Sequence, residues 1–154
     1  MNKPFSSLLF ALLALLVLSG CSFPRLIILK DPLTPEEHVN LGVTYEKQGD
    51  LDEAIREYNL AAKKLPRAYL YLGNAYFQKQ DWKRAEDSYQ KAIRKEPENS
   101  DAFNNLAWLY YTRNENLEEA EKLAQKAIEL NPAKEDLYRD TLDKIREIKK
   151  RPRQ

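Results

Sequence analysis

Leu41-Gly42-Val43-Thr44-Tyr45 recurs as Leu72-Gly73-Asn74-Ala75-Tyr76 and again as Leu106-Ala107-Trp108-Leu109-Tyr110. Each copy sets an aliphatic residue beside a small one and places a tyrosine about one helical turn further on. A second pattern follows each copy. Ala54, Tyr58 and Ala61 are matched by Ala85, Tyr89 and Ala92, then by Ala120, Ala124 and Ala127. Their spacing of three and four residues puts each trio on one face of a helix. Leu51, Trp82 and Leu117 each stand three residues before the first alanine of their trio, and Pro66, Pro97 and Pro132 close the units. Small residues on both helices of a unit let an antiparallel pair approach closely, and the aromatic residues fill the space between one pair and the next.

This pattern resembles the tetratricopeptide repeat, W-x-x-L-G-x-x-Y, then A-x-x-x-F, then P, over about 34 residues. The resemblance covers residues 35–132 and implies an all-α fold. The expected architecture is a right-handed superhelical stack of three helix-turn-helix repeats with a C-terminal capping helix. The repeats are expected at residues 35–66, 67–99 and 100–132, the cap at 133–150 and a basic tail at 151–154. Three departures stand out. His38, Tyr69 and Phe103 replace the leading tryptophan. Gly42 and Gly73 are 31 residues apart rather than about 34, which is expected to tighten or tilt the first join. The turn at Asn114-Glu115-Asn116 is one residue longer than its counterparts. Thr34-Pro35-Glu36-Glu37 opens the array with the elements of a capping box. Leu137, Leu142, Ile145 and Ile148 have near-helical spacing and are expected to form the covering face of the cap.

The whole-chain composition agrees. The chain has 154 residues, which allows one domain, and four glycines. Lys+Arg (25) and Asp+Glu (24) nearly cancel, so there is no global attraction to nucleic acid.

The N-terminus differs from the rest. Residues 8–18 are an uncharged run of Leu, Phe, Ala and Val, too short for a spanning helix of about twenty residues but suited to the apolar core of a secretory signal. Leu18-Ser19-Gly20-Cys21 closes that run and holds the sole cysteine. It resembles the bacterial lipoprotein signal, in which the cysteine receives diacylglyceryl and becomes the acylated first residue. The resemblance implies a signal peptide at 1–20, lipidation (palmitate or a similar acyl chain) at Cys21, and a lipidated tether at 21–34. Two acyl chains anchor a protein stably without a transmembrane helix. Ser22, rather than Asp, follows the cysteine. By resemblance to the Gram-negative sorting pattern, this favours the outer membrane, facing the periplasm. The pattern does not separate that location from a Gram-positive surface. Leu26-Ile27-Ile28-Leu29 is apolar for a tether and is expected to pack on the first helices or lie on the bilayer.

No catalytic or metal-binding constellation is legible, and no cofactor or small-molecule substrate is expected. One histidine, His38, and one cysteine cannot form a zinc site or a Cys/His nucleophile pair. The acidic pairs Glu36-Glu37, Asp52-Glu53 and Glu118-Glu119 stand at expected helix starts, where the helix dipole explains them.

In this family the first helix of each pair lines a concave surface that binds peptides or helices. The residues off the packing positions there are Val39, Asn40 and Val43; Leu70, Tyr71, Asn74 and Phe77; and Asn104, Asn105, Trp108 and Tyr111. Amides can fix a peptide backbone and rings supply contact area at low entropy cost. Asn74 and Asn105 resemble the amide pair of a carboxylate-gripping arrangement known in the family, but Asp136 and Asp140 stand where its basic residues would. A terminal carboxylate is therefore not the expected ligand. The leading expectation is an envelope adaptor or assembly factor that binds a protein or peptide partner. The alternative is a constitutive structural subunit of an envelope machine for pili, secretion, outer-membrane assembly or the cell wall.

Overall fold

The computed structural model describes residues 31–150. The expected signal peptide, Cys21, the apolar Leu26–Leu29 run and the basic tail lie outside the described residues. Within residues 33–150, seven α-helices follow one another: α1 (Pro35–Gln48), α2 (Leu51–Ala62), α3 (Ala68–Gln78), α4 (Trp82–Lys95), α5 (Ser100–Arg113), α6 (Leu117–Leu130) and α7 (Glu135–Lys150). A short 3-10 turn, Pro132–Lys134, precedes α7. There is no strand among the described residues. Helices pack pairwise as α1 on α2, α3 on α4 and α5 on α6, each pair stacks on the next, and α7 closes the end against α6. This is the helical solenoid expected from the repeats. None of these helices is long and apolar enough to cross a membrane.

The local sequence sets each boundary. Thr34 Oγ1 accepts from the Glu37 N–H at 3.2 Å, and Glu37 Oε2 accepts from the Thr34 N–H at 2.7 Å, completing the capping box. Those two bonds hold the Glu37 carboxyl below its usual range. The three-residue shortening between Gly42 and Gly73 is absorbed at helix ends. α2 stops eight residues after Ala54 where α4 runs ten past Ala85, and α3 starts five residues before Gly73 where α5 starts seven before Ala107. The turn between α2 and α3 is one residue longer than its counterpart and recovers the difference. The extra residue of the third repeat is taken up by Asn114 and Asn116, both left-handed at φ 53° and 47°. Asparagine adopts that conformation at less cost than most residues.

Within the repeats, aromatic rings of the second helix fill the space beside small residues of the first. Gly42 faces the ring of Tyr58, and Gly73 that of Tyr89; a Cβ at either glycine would come within 3.0 Å of ring carbons. Both rings are buried. Tyr76 packs against both core clusters and so joins the first two repeats to the third. Tyr110 donates to Glu86 Oε1 at 2.8 Å, tying α5 to α4. Burial and that bond push its phenol up to about 12.

The cap corrects one expectation. α7 buries Tyr138, Thr141, Leu142 and Ile145, whereas Leu137 is 60% exposed and Ile148 only half-buried. Leu137 and Leu142 are five residues apart, about 140° around a helix, so they cannot share a narrow face. Tyr138 decides the rotation. It is fully buried, donates to Asp101 Oδ1 at 2.7 Å and shares a 2.9 Å hydrogen bond with Ser100 Oγ. Lys134 reaches the same Asp101 carboxylate, and Arg146 and Lys149 clasp Glu121 at 2.7 Å each. Leu142→Ala is expected to cost about 2–5 kcal/mol in urea denaturation. Leu137→Ala should stay within about 0.5 kcal/mol. Equal losses would overturn this rotation of the cap.

Candidate peptide-binding groove

The first helices α1, α3 and α5 stand side by side, and seven of the eleven residues singled out from the sequence fall into three groups. Val43, Tyr71 and Asn74 line a cavity of about 370 Å³ with Glu46, Lys47 and Gln78. Its polar floor is tightly bonded: Glu46 accepts from the Tyr58 hydroxyl at 2.6 Å and from the Gln78 amide. Tyr71 lies 5.4 Å from the Tyr58 ring, centroid to centroid. Trp108 and Tyr111 form a second group, their centroids 5.0 Å apart, with the Lys144 ammonium of α7 5.0 Å above the Trp108 ring. Lys144 also pairs with Asp140 at 2.6 Å.

The third group is an amide chain between them. Asn74 Oδ1 accepts from the Tyr89 hydroxyl at 3.0 Å and from Asn105 Nδ2 at 2.9 Å. Asn105 Oδ1 lies 3.4 Å from Asn104 Nδ2, a long contact, and Asn104 Oδ1 is buried without a partner among the described residues. Asn74 and Asn105 are therefore half-buried and bonded to each other across α3 and α5, where the sequence suggested free amides.

Two of the positions need correction. Val39 is 4% exposed and belongs to the core cluster of the first two repeats, and Asn104 is 8% exposed. Each stands one position, about 100° around its helix, from a less buried neighbour, Asn40 and Asn105 respectively. Asn40 is exposed; Leu70 and Phe77 are half-buried and pack on the core, with Phe77 edge-on to Trp82 at 5.4 Å. Glu46, Lys47 and Gln78 were missed, although they stand three or four residues beyond Val43 and Asn74. One more step along the same helix face would have reached them. Lys144 belongs to the cap, outside the first helices, so no repeat position points to it.

His38, the sole histidine, is buried and bonded through Nδ1 to Glu57 Oε2 at 2.7 Å. It joins α1 to α2. Among the described residues no group of three or more His, Cys, Asp or Glu could hold a metal.

Residues 35–68 and 70–135 both match the tetratricopeptide repeat. The chain belongs to the tetratricopeptide-repeat family. Solved structures agree. The first repeat domain of Spaghetti (RPAP3), bound to the HSP90 peptide SRMEEVD, superposes with a TM-score of 0.69 at 25% identity, over 79% of this chain and 97% of that one. The TPR2B domain of yeast Sti1 in its pHsp70 complex gives 0.69 at 19% identity, over 74% and 97%. The Sgt2 domain of Aspergillus fumigatus gives 0.70 at 18%, over 78% and 85%. The human protein O-mannosyl-transferase TMTC2 is 35% identical over 117 residues, 69% of this chain. The chain spans only 14% of that relative's length.

Asn74→Ala removes the acceptor of a nearly buried phenol and of Asn105. It is expected to destabilise the domain by about 1–3 kcal/mol in urea denaturation. An unchanged midpoint would show that the amide chain has no structural part and is free for ligand.

Proposed function

We propose that this chain is a lipid-anchored adaptor of a bacterial cell envelope, tethered through Cys21, which binds a peptide or helix of a protein partner in the groove of α1, α3 and α5. The observation that carries the binding reading is the open cavity bounded by Val43, Glu46, Lys47, Tyr71, Asn74 and Gln78, together with the Trp108–Tyr111 ring pair on α5, the next first helix. Rings held by their neighbours lose little entropy on contact, which makes them efficient anchors for a partner. Likeness to a repeat domain bound to an HSP90 peptide supports a peptide as the ligand. The charge of this groove argues for a different anchor point from a terminal carboxylate. Asp136 and Asp140 lie on the first turns of α7, and Lys144 is engaged by Asp140 and Trp108. An internal segment with an apolar side chain for the ring pair fits better.

The sequence around Cys21 supports the anchor, and Ser22 supports the outer membrane, with the domain in the periplasm. The adaptor reading is tested by screening the purified chain against an array of envelope-protein peptides and repeating the screen with Trp108→Ala. The selected peptide should bind the variant at least tenfold more weakly, with an unchanged fold by circular dichroism, a loss typical of an aromatic hot spot. A chain that forms only obligate oligomers and selects no peptide would favour the constitutive-subunit reading. For the anchor, Cys21→Ala should abolish incorporation of a fatty-acid analogue in growing cells. Undiminished labelling would remove it.

A further inference from the structure

Antiparallel pairing puts the C-terminal end of each second helix on the same edge of the stack as the N-terminal end of its first helix. That edge carries Lys63, Lys64 and Arg67 in the turn between α2 and α3, and Lys91, Arg94 and Lys95 in the last turns of α4. Lys91 Nζ stands 5.7 Å from the centre of the Tyr69 ring, which joins the start of α3 to the end of α4. None of the six is within ion-pair distance of a carboxylate among the described residues. The opposite edge is built differently. There Lys79 holds Asp52, Arg84 holds Asp81 and Arg113 holds Glu115. Glu36, Glu37, Glu96 and Glu98 border the cluster without pairing with it. The third-repeat end of the same edge is acidic instead, with Asp101, Glu129, Glu135 and Asp136, so the basic surface is confined to the end formed by the first two repeats. Glu37 is committed to the cap of α1, and Glu96 accepts from Asn99.

The chain reaches the domain at this same edge. Thr34 caps α1, thirteen residues after Cys21, and such a segment extends at most about 45 Å. The geometry points to the basic edge as a docking surface for an anionic phospholipid bilayer, resting on the proposed anchor at Cys21. Unpaired cations are attracted to anionic headgroups within about a Debye length, near 8 Å at physiological salt. The tether holds the edge within reach of the membrane, so each weak attraction acts at high effective concentration. The first helices then stand with their N-terminal ends on the bilayer, and the groove opens sideways, along the membrane surface. An acidic protein partner is the competing occupant. The bilayer is favoured because the chain enters the domain at this edge, beside the cluster, at Thr34.

The test uses the full purified chain and sedimentation with vesicles of phosphatidylcholine, with and without roughly one-third phosphatidylglycerol. The apolar N-terminal segment is common to every variant, so only the difference between the two vesicle types is informative. Wild type should partition about tenfold or more in favour of the anionic vesicles, and lose that preference at about 0.5 M salt, where screening shortens to about 4 Å. The quadruple reversal Lys63→Glu, Arg67→Glu, Arg94→Glu and Lys95→Glu should abolish the preference, while Lys47→Glu, in the groove, retains it. Should the quadruple variant fail to melt cooperatively, Arg67→Glu and Lys95→Glu alone should each weaken the preference about fivefold. Equal partitioning of wild type to both vesicles overturns the surface, as does a reversal that keeps the preference, or capture of an acidic peptide without any anionic-lipid preference. Fatty-acid labelling at Cys21 reads the anchor separately, so a lipid-selective edge on an unlabelled chain leaves the surface standing and removes only the anchor.

Discussion

The fit of a tyrosine ring against a glycine backbone is the constraint on which the first two repeats depend. Tyr58 lies against Gly42 and Tyr89 against Gly73, closely enough that a Cβ on either glycine would collide with the ring. The third repeat solves the same packing problem with smaller parts. Ala107 carries a Cβ, and Ala124 replaces the ring, so no collision arises; both residues are fully buried. Glycine in a helix interior costs about 0.5–1 kcal/mol relative to alanine, and two are retained where a ring must pass. The ring passes the glycine to reach the other side. Tyr58 delivers its hydroxyl to Glu46, and Tyr89 delivers its own to Asn74, both on the groove side of the first helix. Burial then pushes both phenols well above their ordinary range, keeping them as donors.

The groove is therefore an outgrowth of the core rather than a decoration on it. Asn74 is held from behind by Tyr89 and from the side by Asn105, so the polar floor of the concave face is preorganised before any ligand arrives. The same bonding limits what the amides can offer. The Asn74 carbonyl is already occupied twice, which leaves its amide nitrogen as the group facing a partner. Contact area falls instead to Tyr71 and to Trp108 with Tyr111, whose rings are only half-buried.

Much of this was legible in the sequence, for identifiable reasons. The pair-and-trio periodicity fixed the repeats because small residues at close helix crossings leave an unambiguous spacing. The capping box at Thr34 was legible because it is purely local. The rotation of α7 was not, since it depends on Tyr138 meeting Asp101 and Ser100 some 37 positions away in the chain. Val39 and Asn104 were misplaced for a related reason: neighbouring positions on a first helix differ by about 100°, and the tilt between helices decides which one turns inward. The Asn74–Asn105 bond could not be read from either residue, because it exists only once α3 and α5 lie together. The basic edge was scattered over two segments and became one surface only through the pairing of helices.

The ring-and-glycine fit is tested most directly by a double-mutant cycle on Gly73→Ala and Tyr89→Ala in urea denaturation. Each single change should destabilise the domain, the first by collision and the second by loss of a buried ring and its hydrogen bond. Since the collision exists only while the ring is present, the double variant should be more stable than the sum of the two losses implies. A coupling of about 1–3 kcal/mol in that direction is expected. Additive losses would mean that the glycine and the ring do not constrain each other, and would contradict the account.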